Sequence, residues 1–339
     1  MGTTSRYRAV RMIAAIGVVS LVAACADNGG ATGGGDAAGY PDKNITIVVP
    51  FSAGGPTDTV TRMIAEPMAA KLGTKIVVQN VEGAGGTVGA GQVARARPDG
   101  YTVLMHHIGM STAPALYQNL DYKPLESFGM VGLVTEVPMT VVARKDFAPT
   151  TLQDLVTYVK ANAGKVTLAN AGIGAASHLC GLLFQTAAGV KLQEVPYDGT
   201  GPALTDLVGG QVDFMCDQTT NTSGQIAAGK VKAYAVTTPE RVKSLPDLPT
   251  TAEAGLPQLQ VSVWHGLYVP AGAPQEVVQK LTAALQAALT DQKVIGQMAK
   301  LGTAPVAAKD ATPQAHRAKL QEQLGSWGKV IADSGVKAS

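Results

Sequence analysis

The stretch from residue 45 to residue 62, ITIVVPFSAGGPTDTVTR, constrains the fold more than any other part of the chain. Its first five residues form a short apolar run, largely β-branched, which is typical of a buried parallel strand. Pro50 ends this run, and Gly54, Gly55 and Pro56 allow a sharp turn into a helix. A strand, a glycine turn and a helix start direct several unpaired N–H groups toward one point. The stretch therefore predicts an anion site whose glycine turn contains no cationic side chain.

The same order of elements recurs directly afterwards. The segment KIVVQ at 75–79 predicts a second strand, EGAGGTVGAG at 82–91 a second glycine turn leading into a helix, and YTVLM at 101–105 a third strand. Such repeated units predict a parallel sheet wound with helices, an α/β fold. Pro67 lies inside the first predicted helix, where we expect it to kink or shorten that helix.

A second series of strands, loops and helices follows from residue 166, which predicts two similar lobes of ordinary domain size. The chain would cross between the lobes near residues 143–146 and 261–266. Two crossings act as a hinge, and the cleft between the lobes is the natural ligand site. The predicted segments are a signal peptide at 1–24, a flexible tether at 25–43, a first lobe at 44–144 with 266–339, and a second lobe at 145–265.

The N-terminus predicts export. Arg6, Arg8 and Arg11 precede a short apolar segment that ends in VAAC. This ending resembles a lipobox, with Cys25 as the lipidated first residue of the mature protein, although ordinary cleavage near Ala24 is the alternative. Removing residues 1–24 takes away three arginines and no acidic residue, which turns the formal net charge from +2 to −1. A nucleic-acid partner is therefore not expected.

Two further cysteines, Cys180 and Cys216, remain in the body of the chain. In an exported protein such a pair forms a disulfide or stays as two buried thiols. The sequence leaves both alternatives open.

An enzyme is not predicted. The chain contains no G-x-S-x-G elbow, and in GAGGTVG at 83–89 Val88 replaces the third glycine of a dinucleotide loop. His106, His107 and His178 do not form a recognisable metal set with a carboxylate or cysteine, and adjacent strand residues point to opposite faces. We therefore expect neither a cofactor nor a metal. An exported hydrolase and a receptor that feeds a sensor system remain as alternatives to a transport receptor.

The order of motifs over residues 44–335 closely resembles one family. PFSAGGPTD, EGAGG, RPDGYTVL, ASHLCG, VPYDGTGPALTDLVGGQVDF, PTTAEAG and WHGLYVPAGAP follow one another as in the substrate-binding proteins of tripartite tricarboxylate transporters, the Bug-type receptors. The resemblance implies a two-lobe type II periplasmic-binding-protein fold. It also implies capture of a small carboxylate (a di- or tricarboxylate or an aromatic acid) and its delivery to a permease with one large and one small membrane subunit. A lipid-anchored monomer in the cell envelope is the expected form.

The resemblance also implies a set of ligand-binding residues in the loops of both lobes. They are Phe51, Ser52, Gly54, Gly55, Asp58, Gly85, Gly86, His106, Gly174, Ala175, Ser177, His178, Tyr197, Thr200, Gly201 and Asp217. One carboxylate is expected against the amides of the first-lobe glycines, and a second polar end against residues 174–177 and 200–201. Ala175 stands where the family usually has Ser or Thr, so a hydroxyl contact is missing there.

Individual side chains in these loops allow several roles. Asp58 cannot bind a carboxylate directly while both are ionised, so it caps its helix, holds a bridging water or accepts from a ligand donor. Phe51, Tyr197 and Trp264 either cover the apolar body of a ligand or belong to the lobe cores. We expect His178 to be held by neighbouring backbone more than to bind ligand.

Overall fold

The computed structural model describes residues 39–337, so the predicted signal peptide and Cys25 lie outside the described residues. The strands are β1 (Ile45–Val49), β2 (Ile76–Asn80), β3 (Thr102–His107), β4 (Phe128–Arg144), β5 (Thr167–Asn170), β6 (Gln193–Pro196), β7 (Phe214–Gln218), β8 (Val231–Val236) and β9 (Ser262–Pro270). The helices are α1 (Pro56–Leu72), α2 (Thr87–Ala94), α3 (Gly109–Leu116), α4 (Leu152–Ala161), α5 (Ala176–Ala188), α6 (Thr200–Val208), α7 (Thr219–Ala227), α8 (Gln275–Leu289), α9 (Gln292–Lys300) and α10 (Pro313–Ser334).

Two groups of strands make up the sheet. In the first group β1 lies between β2 and β3 and runs parallel to both, as the strand–turn–helix repeats predict. The antiparallel strand β9 then joins β3 to β4. In the second group β5 runs parallel to β6 and β7, whereas β7 and β8 both pair with β4 in the antiparallel direction.

Strand β4 belongs to both groups. Its residues Phe128 to Pro138 pair with β9, and its residues from Met139 to Arg144 pair with β7 and β8. The change of partners therefore falls a few residues before the crossing predicted near 143–146, while β9 begins within the one predicted near 261–266. The lobe boundaries themselves stay a prediction.

Helix α1 runs unbroken from Pro56 to Leu72, so the predicted shortening at Pro67 is wrong. Its fully buried side chains Val60, Ile64 and Met68 lie four residues apart on one face, which packs in a hydrophobic core with residues of β1, β3 and α8. Burial of this stripe stabilises the last turns and outweighs the hydrogen bond that proline removes. Gly73 ends the helix in a left-handed conformation, as its position predicts.

The C-terminal segment is helical and packs on the first group of strands. Helix α8 packs against α1, and α10 packs against α3 and β4. Side chains of α10, among them Leu320, Trp327 and Ile331, complete a core around β4. The return of this segment to the first lobe stays a prediction. Within residues 39–337 no helix is long and apolar enough to cross a membrane.

A disulfide joins Cys180 of α5 to Cys216 of β7. The two residues are 36 apart in sequence, and both are buried between the helix and the sheet. The cross-link therefore fixes α5 to the centre of the second group of strands.

Replacing both cysteines by alanine should lower the free energy of unfolding by about 3–4 kcal/mol, because the open chain regains the loop entropy that the bond removes. Denaturant unfolding of wild type and of Cys180→Ala/Cys216→Ala, each with and without reductant, measures this difference. Reductant should affect only the wild type. Two titratable thiols in the unreduced, denatured wild type would contradict the bond.

Candidate functional site

Four helices begin where strands of the two groups end. Helix α1 follows β1, and α5, α6 and α7 follow β5, β6 and β7. Their first turns carry backbone N–H groups that the helices themselves leave unpaired, with the positive end of each helix dipole behind them. The arrangement repeats the geometry that the sequence predicts for β1 and α1, now on both groups of strands.

The loop before α1 touches the loop before α6. The Ser52 N–H donates to the Asp198 carbonyl oxygen over 3.1 Å. A Cβ built on Gly199 would lie 1.9 Å from Ser52 Oγ, and one built on Gly201 would lie 3.4 Å from the Gly55 nitrogen. The Gly199 contact leaves no room for a Cβ and the Gly201 contact is close, so the structure shows the two lobes in contact at this point.

A second contact joins the loop before α2 to the loop before α5. A Cβ on Gly85 would lie 2.0 Å from the Ile173 carbonyl oxygen. The Tyr117 hydroxyl donates to the carbonyl oxygens of Ala84 and Ile173, both over 2.8 Å, and Thr112 Oγ1 donates to that of Gly174 over 3.0 Å. Gly85 and Gly174 thus serve close approach of the lobes.

Of the four first-lobe glycines whose amides are predicted to bind a carboxylate, Gly54, Gly55 and Gly86 have protein acceptors for their N–H groups. The Gly54 N–H donates to Asp58 Oδ2 over 2.9 Å, the Gly55 N–H to the Ser52 carbonyl over 3.3 Å, and the Gly86 N–H to the Gly83 carbonyl over 3.0 Å. These N–H groups donate to acceptors within their own tight turns. Among the described residues, the Asp58 N–H and Ser52 Oγ keep no hydrogen-bond partner at this turn.

Asp58 closes the turn before α1. Its carboxylate accepts from Gly54, from Arg62 Nε over 2.9 Å and from Asn80 Nδ2 over 3.1 Å. Burial raises the pKa of Asp58, but the hydrogen bonds from Arg62, Gly54 and Asn80 outweigh burial and hold the pKa below its usual range. The side chain is therefore ionised, and it connects the glycine turn to the first turn of α1 and to β2.

Asp217 lies behind the starts of α6 and α7 and is fully buried. Its carboxylate accepts from the Gln218 N–H over 2.8 Å and from Asn221 Nδ2 over 2.5 Å, and Asn221 also donates to the Thr200 carbonyl over 3.2 Å. Burial raises the pKa of Asp217 to about 6, and the hydrogen bonds from Asn221, Gln218 and Thr200 only partly offset it. This residue supports both helix starts from beneath.

The loop before α5 is held by its own side chains. His178 Nδ1 accepts from the Gly174 N–H over 3.2 Å, and His178 Nε2 lies 3.5 Å from Glu194 Oε2. Ser177 Oγ accepts from the Ala171 N–H over 2.8 Å. Both ring nitrogens of His178 have protein partners, as expected for a residue held by its surroundings. Ala175, which precedes the helix, is buried and offers no hydroxyl.

His106 and His107 form one buried aromatic cluster with Phe51. The Phe51 ring stacks on His107 with 4.5 Å between centroids and meets the His106 ring edge-on at 5.7 Å. Burial lowers the pKa of His106 to about 4 and that of His107 well below its usual range, so both are neutral at pH 7. No group of three or more His, Cys, Asp or Glu side chains suited to a metal occurs in residues 39–337.

Of the three candidate aromatic covers, Phe51 and Tyr197 lie in the contacting loops just described, and Trp264 lies on β9. The Tyr197 hydroxyl donates to Asp206 Oδ2 over 2.7 Å, and its ring packs against the core beneath α6. Trp264 is buried on β9 with its ring 5.9 Å from that of His316 in α10. The latter two serve the cores, which is the second reading that the sequence left open.

Sequence reasoning missed Gln218 and Thr220 at the start of α7. Both are buried, yet Gln218 Oε1 and Thr220 Oγ1 have no hydrogen-bond partner among the described residues. The available signal was the polar run QTT at the predicted end of a strand, the same position that FSAGG holds after β1.

Comparison with known proteins places this geometry in a family. A family model described as the tripartite tricarboxylate transporter family receptor, TctC, matches residues 60–336. The structure of the periplasmic binding protein BugD matches with a TM-score of 0.87 and 53% identity, covering 88% of this chain and 100% of that chain.

Two further solved structures carry ligands. MatC from Rhodopseudomonas palustris, with bound malate, matches with a TM-score of 0.84 and 42% identity over 86% of this chain and 100% of its own. The R. palustris protein Rpa4515, with adipate, matches with a TM-score of 0.83 and 30% identity over 88% of this chain and 99% of its own.

These matches confirm the predicted α/β periplasmic-binding-protein fold and the resemblance to Bug-type receptors. The family is one of solute receptors and not of enzymes. The chain therefore belongs to the tripartite tricarboxylate transporter receptor family, as a periplasmic solute-binding protein of the TctC and Bug type.

Proposed function

We propose that this protein captures a small carboxylate between its two lobes and delivers it to the membrane subunits of a tripartite tricarboxylate transporter. The observation that carries the proposal is that helix starts from both groups of strands meet. We call this contact the seam; it joins the loop before α1 to the loop before α6 and the loop before α2 to the loop before α5. Helix starts bind anions through oriented N–H donors and the helix dipole. The malate and the adipate bound to the two R. palustris relatives support a carboxylate as the anion.

The start of α6 and the Ser52 side chain offer several hydrogen-bond donors without a protein acceptor at this seam. The N–H groups of Thr200 and Gly201 have no acceptor within residues 39–337, and neither has Ser52 Oγ. Two amides and a hydroxyl supply three donors for one carboxylate, and donors to a charged group form about twice as strong a hydrogen bond as donors to a neutral one. A groove of about 470 Å³, lined in part by Gly54 and Gly201, opens along the same seam.

The loops of the seam contain no Lys or Arg at residues 51–57, 172–178 or 197–202. Binding by amides and hydroxyls alone is specific without the strength of a desolvated ion pair. This suits a receptor that has to release its ligand to a permease of one large and one small subunit. We propose that the mature protein is a monomer held in the cell envelope through a lipid on Cys25.

The purified mature protein should melt at a higher temperature in the presence of its carboxylate ligand, because only the folded state binds it. A screen of mono-, di- and tricarboxylates, with uncharged amides of the same acids as controls, checks this expectation. The ligand should be recovered unchanged after incubation. A chemically altered ligand, or no shift with any acid, would contradict the proposal.

Gly199→Ala should weaken ligand binding without unfolding the protein. The φ of Gly199 is 168°, an extended value that alanine adopts, but its Cβ would lie 1.9 Å from Ser52 Oγ and so oppose closure. We expect a loss of about tenfold or more in affinity, since each ~1.4 kcal/mol removed from the closed state costs a factor of ten. Gly164→Ala, whose Cβ would meet nothing within 4 Å, is the control. Equal affinities in the two variants would disprove the role of this contact.

Ligand binding should take up protons near neutral pH. A carboxylate bound at the start of α6 raises the pKa of Asp217 above its value of about 6 in the free protein, because a second negative charge disfavours the ionised form. The bound state then holds more protons, so affinity rises as the pH falls toward 6. Calorimetric titration at about pH 7 in two buffers of different ionisation enthalpy measures the uptake. Asp217→Asn should abolish it; buffer-independent heats in the wild type would contradict it.

A further inference from the structure

The start of α7 holds two acceptors that the carboxylate site does not use. Gln218 is 3% exposed and Thr220 is 6% exposed, and Gln218 Oε1 and Thr220 Oγ1 lack a partner among residues 39–337. Buried polar atoms are almost always hydrogen-bonded in folded proteins. Two such atoms on one helix start therefore point to a ligand group.

The direction of Gln218 follows from its neighbours on β7. Side chains alternate along a strand, and the Asp217 side chain contacts Asn221 and the α6 start, whereas Cys216 is bonded to Cys180 of α5. Gln218 keeps an extended backbone and remains paired with Met139. Its side chain therefore leaves β7 on the α5 side, at the end of the strand where α5 begins.

The direction of Thr220 follows from the turns of α7. Thr222 Oγ1 lies 2.9 Å from Thr140 Oγ1 of β4, which fixes the side of α7 that faces its own sheet. Two residues correspond to about 200° around a helix, so Thr220 is on the opposite side. Helix α1 of the first group of strands packs against α7, and we infer that Thr220 lies on the side of α7 that faces α1.

The local charge favours a donor over a second anion. Asp58 is in the first turn of α1, and Asp217 lies directly before Gln218. Asp58 is paired with Arg62, whereas the contacts of Asp217 are to uncharged groups, Gln218 N–H, Asn221 and Thr200. The carboxylate of Asp217 without a cationic partner, the amide oxygen of Gln218 and the hydroxyl of Thr220, which can accept, favour a group that donates hydrogen bonds.

We propose that the start of α7 selects carboxylates whose carbon chain carries a hydrogen-bond donor, a hydroxyl or an ammonium group, which Gln218 Oε1 and Thr220 Oγ1 accept. This assignment rests on the proposed function and adds its substrate class. The acid binds through its carboxylate at the α6 start, and its substituent distinguishes it from the unsubstituted acid of equal length. Malate carries such a hydroxyl, and adipate carries no such group.

Three acids of equal length test the proposal on the mature wild-type protein. Malate, aspartate and succinate differ only in the substituent at carbon 2, which is a hydroxyl, an ammonium group or hydrogen. Calorimetric titration should show succinate binding at least about tenfold more weakly than the better of the other two, because it leaves buried acceptors unpaired. The order of malate and aspartate tells which donor is used. The five-carbon series of 2-hydroxyglutarate, glutamate and glutarate repeats the comparison at another length.

Two variants locate the selectivity. Gln218→Met keeps the length of the side chain and removes its acceptor, and Thr220→Val keeps the shape and removes the hydroxyl. In each, affinity for the substituted acid should fall toward that for succinate, while affinity for succinate stays within about twofold. Gln211→Met, an exposed position before the opposite end of β7, is the control and should leave the ratio unchanged.

The outcomes separate this inference from the proposed function. Succinate or glutarate binding as tightly as the substituted acids overturns the inference and leaves a carboxylate receptor. An unchanged ratio in both variants overturns the assignment to Gln218 and Thr220. Failure of every acid in both series to bind overturns the inference, whereas the proposed function fails only if no acid of the wider carboxylate screen binds.

Discussion

The unpaired backbone N–H groups at the helix starts are the constraint on which the rest of the structure depends. A helix leaves its first donors without partners, and a buried donor without a partner costs free energy. In this chain the donors meet that demand in two ways. The turns before α1 and α2 pair the N–H groups of Gly54, Gly55 and Gly86 with protein acceptors. The N–H groups of Thr200 and Gly201 at the start of α6 have no acceptor among the described residues.

Closure of the lobes depends on glycine for a steric reason. Gly85 and Gly199 lie where backbone of one group of strands meets backbone of the other, at distances that a Cβ would prevent. Such contacts bury little apolar surface, so they add little free energy to the closed state by themselves. In the proposed function, a ligand that joins donors of both groups supplies the free-energy difference between the open and the closed state. The absence of Lys and Arg from residues 51–57, 172–178 and 197–202 limits the free energy of binding, which allows the ligand to be released.

Local sequence patterns predict some features of this protein and not others. The run ITIVV followed by a glycine turn predicted β1 and α1 with nearly the observed bounds, because hydrophobic periodicity and turn chemistry are local properties. The acceptors of the glycine amides do not follow from the sequence, because an N–H donor finds its acceptor through the fold: Asp58 is four residues from Gly54, yet its carboxylate also accepts from Asn80 of β2. The sequence likewise does not show that the Tyr197 hydroxyl donates to Asp206.

The sequence by itself determined the α/β class, the order of strands and helices, the family resemblance and the loops that line the seam. These follow from periodicity, turn residues and ordered motifs, which neighbouring residues specify. The tertiary structure decided which glycines bring the lobes together, which amides stay free and that Gln218 and Thr220 are left without partners. Those properties depend on groups far apart in sequence, since hydrogen-bond satisfaction and burial are set by whatever the fold brings alongside.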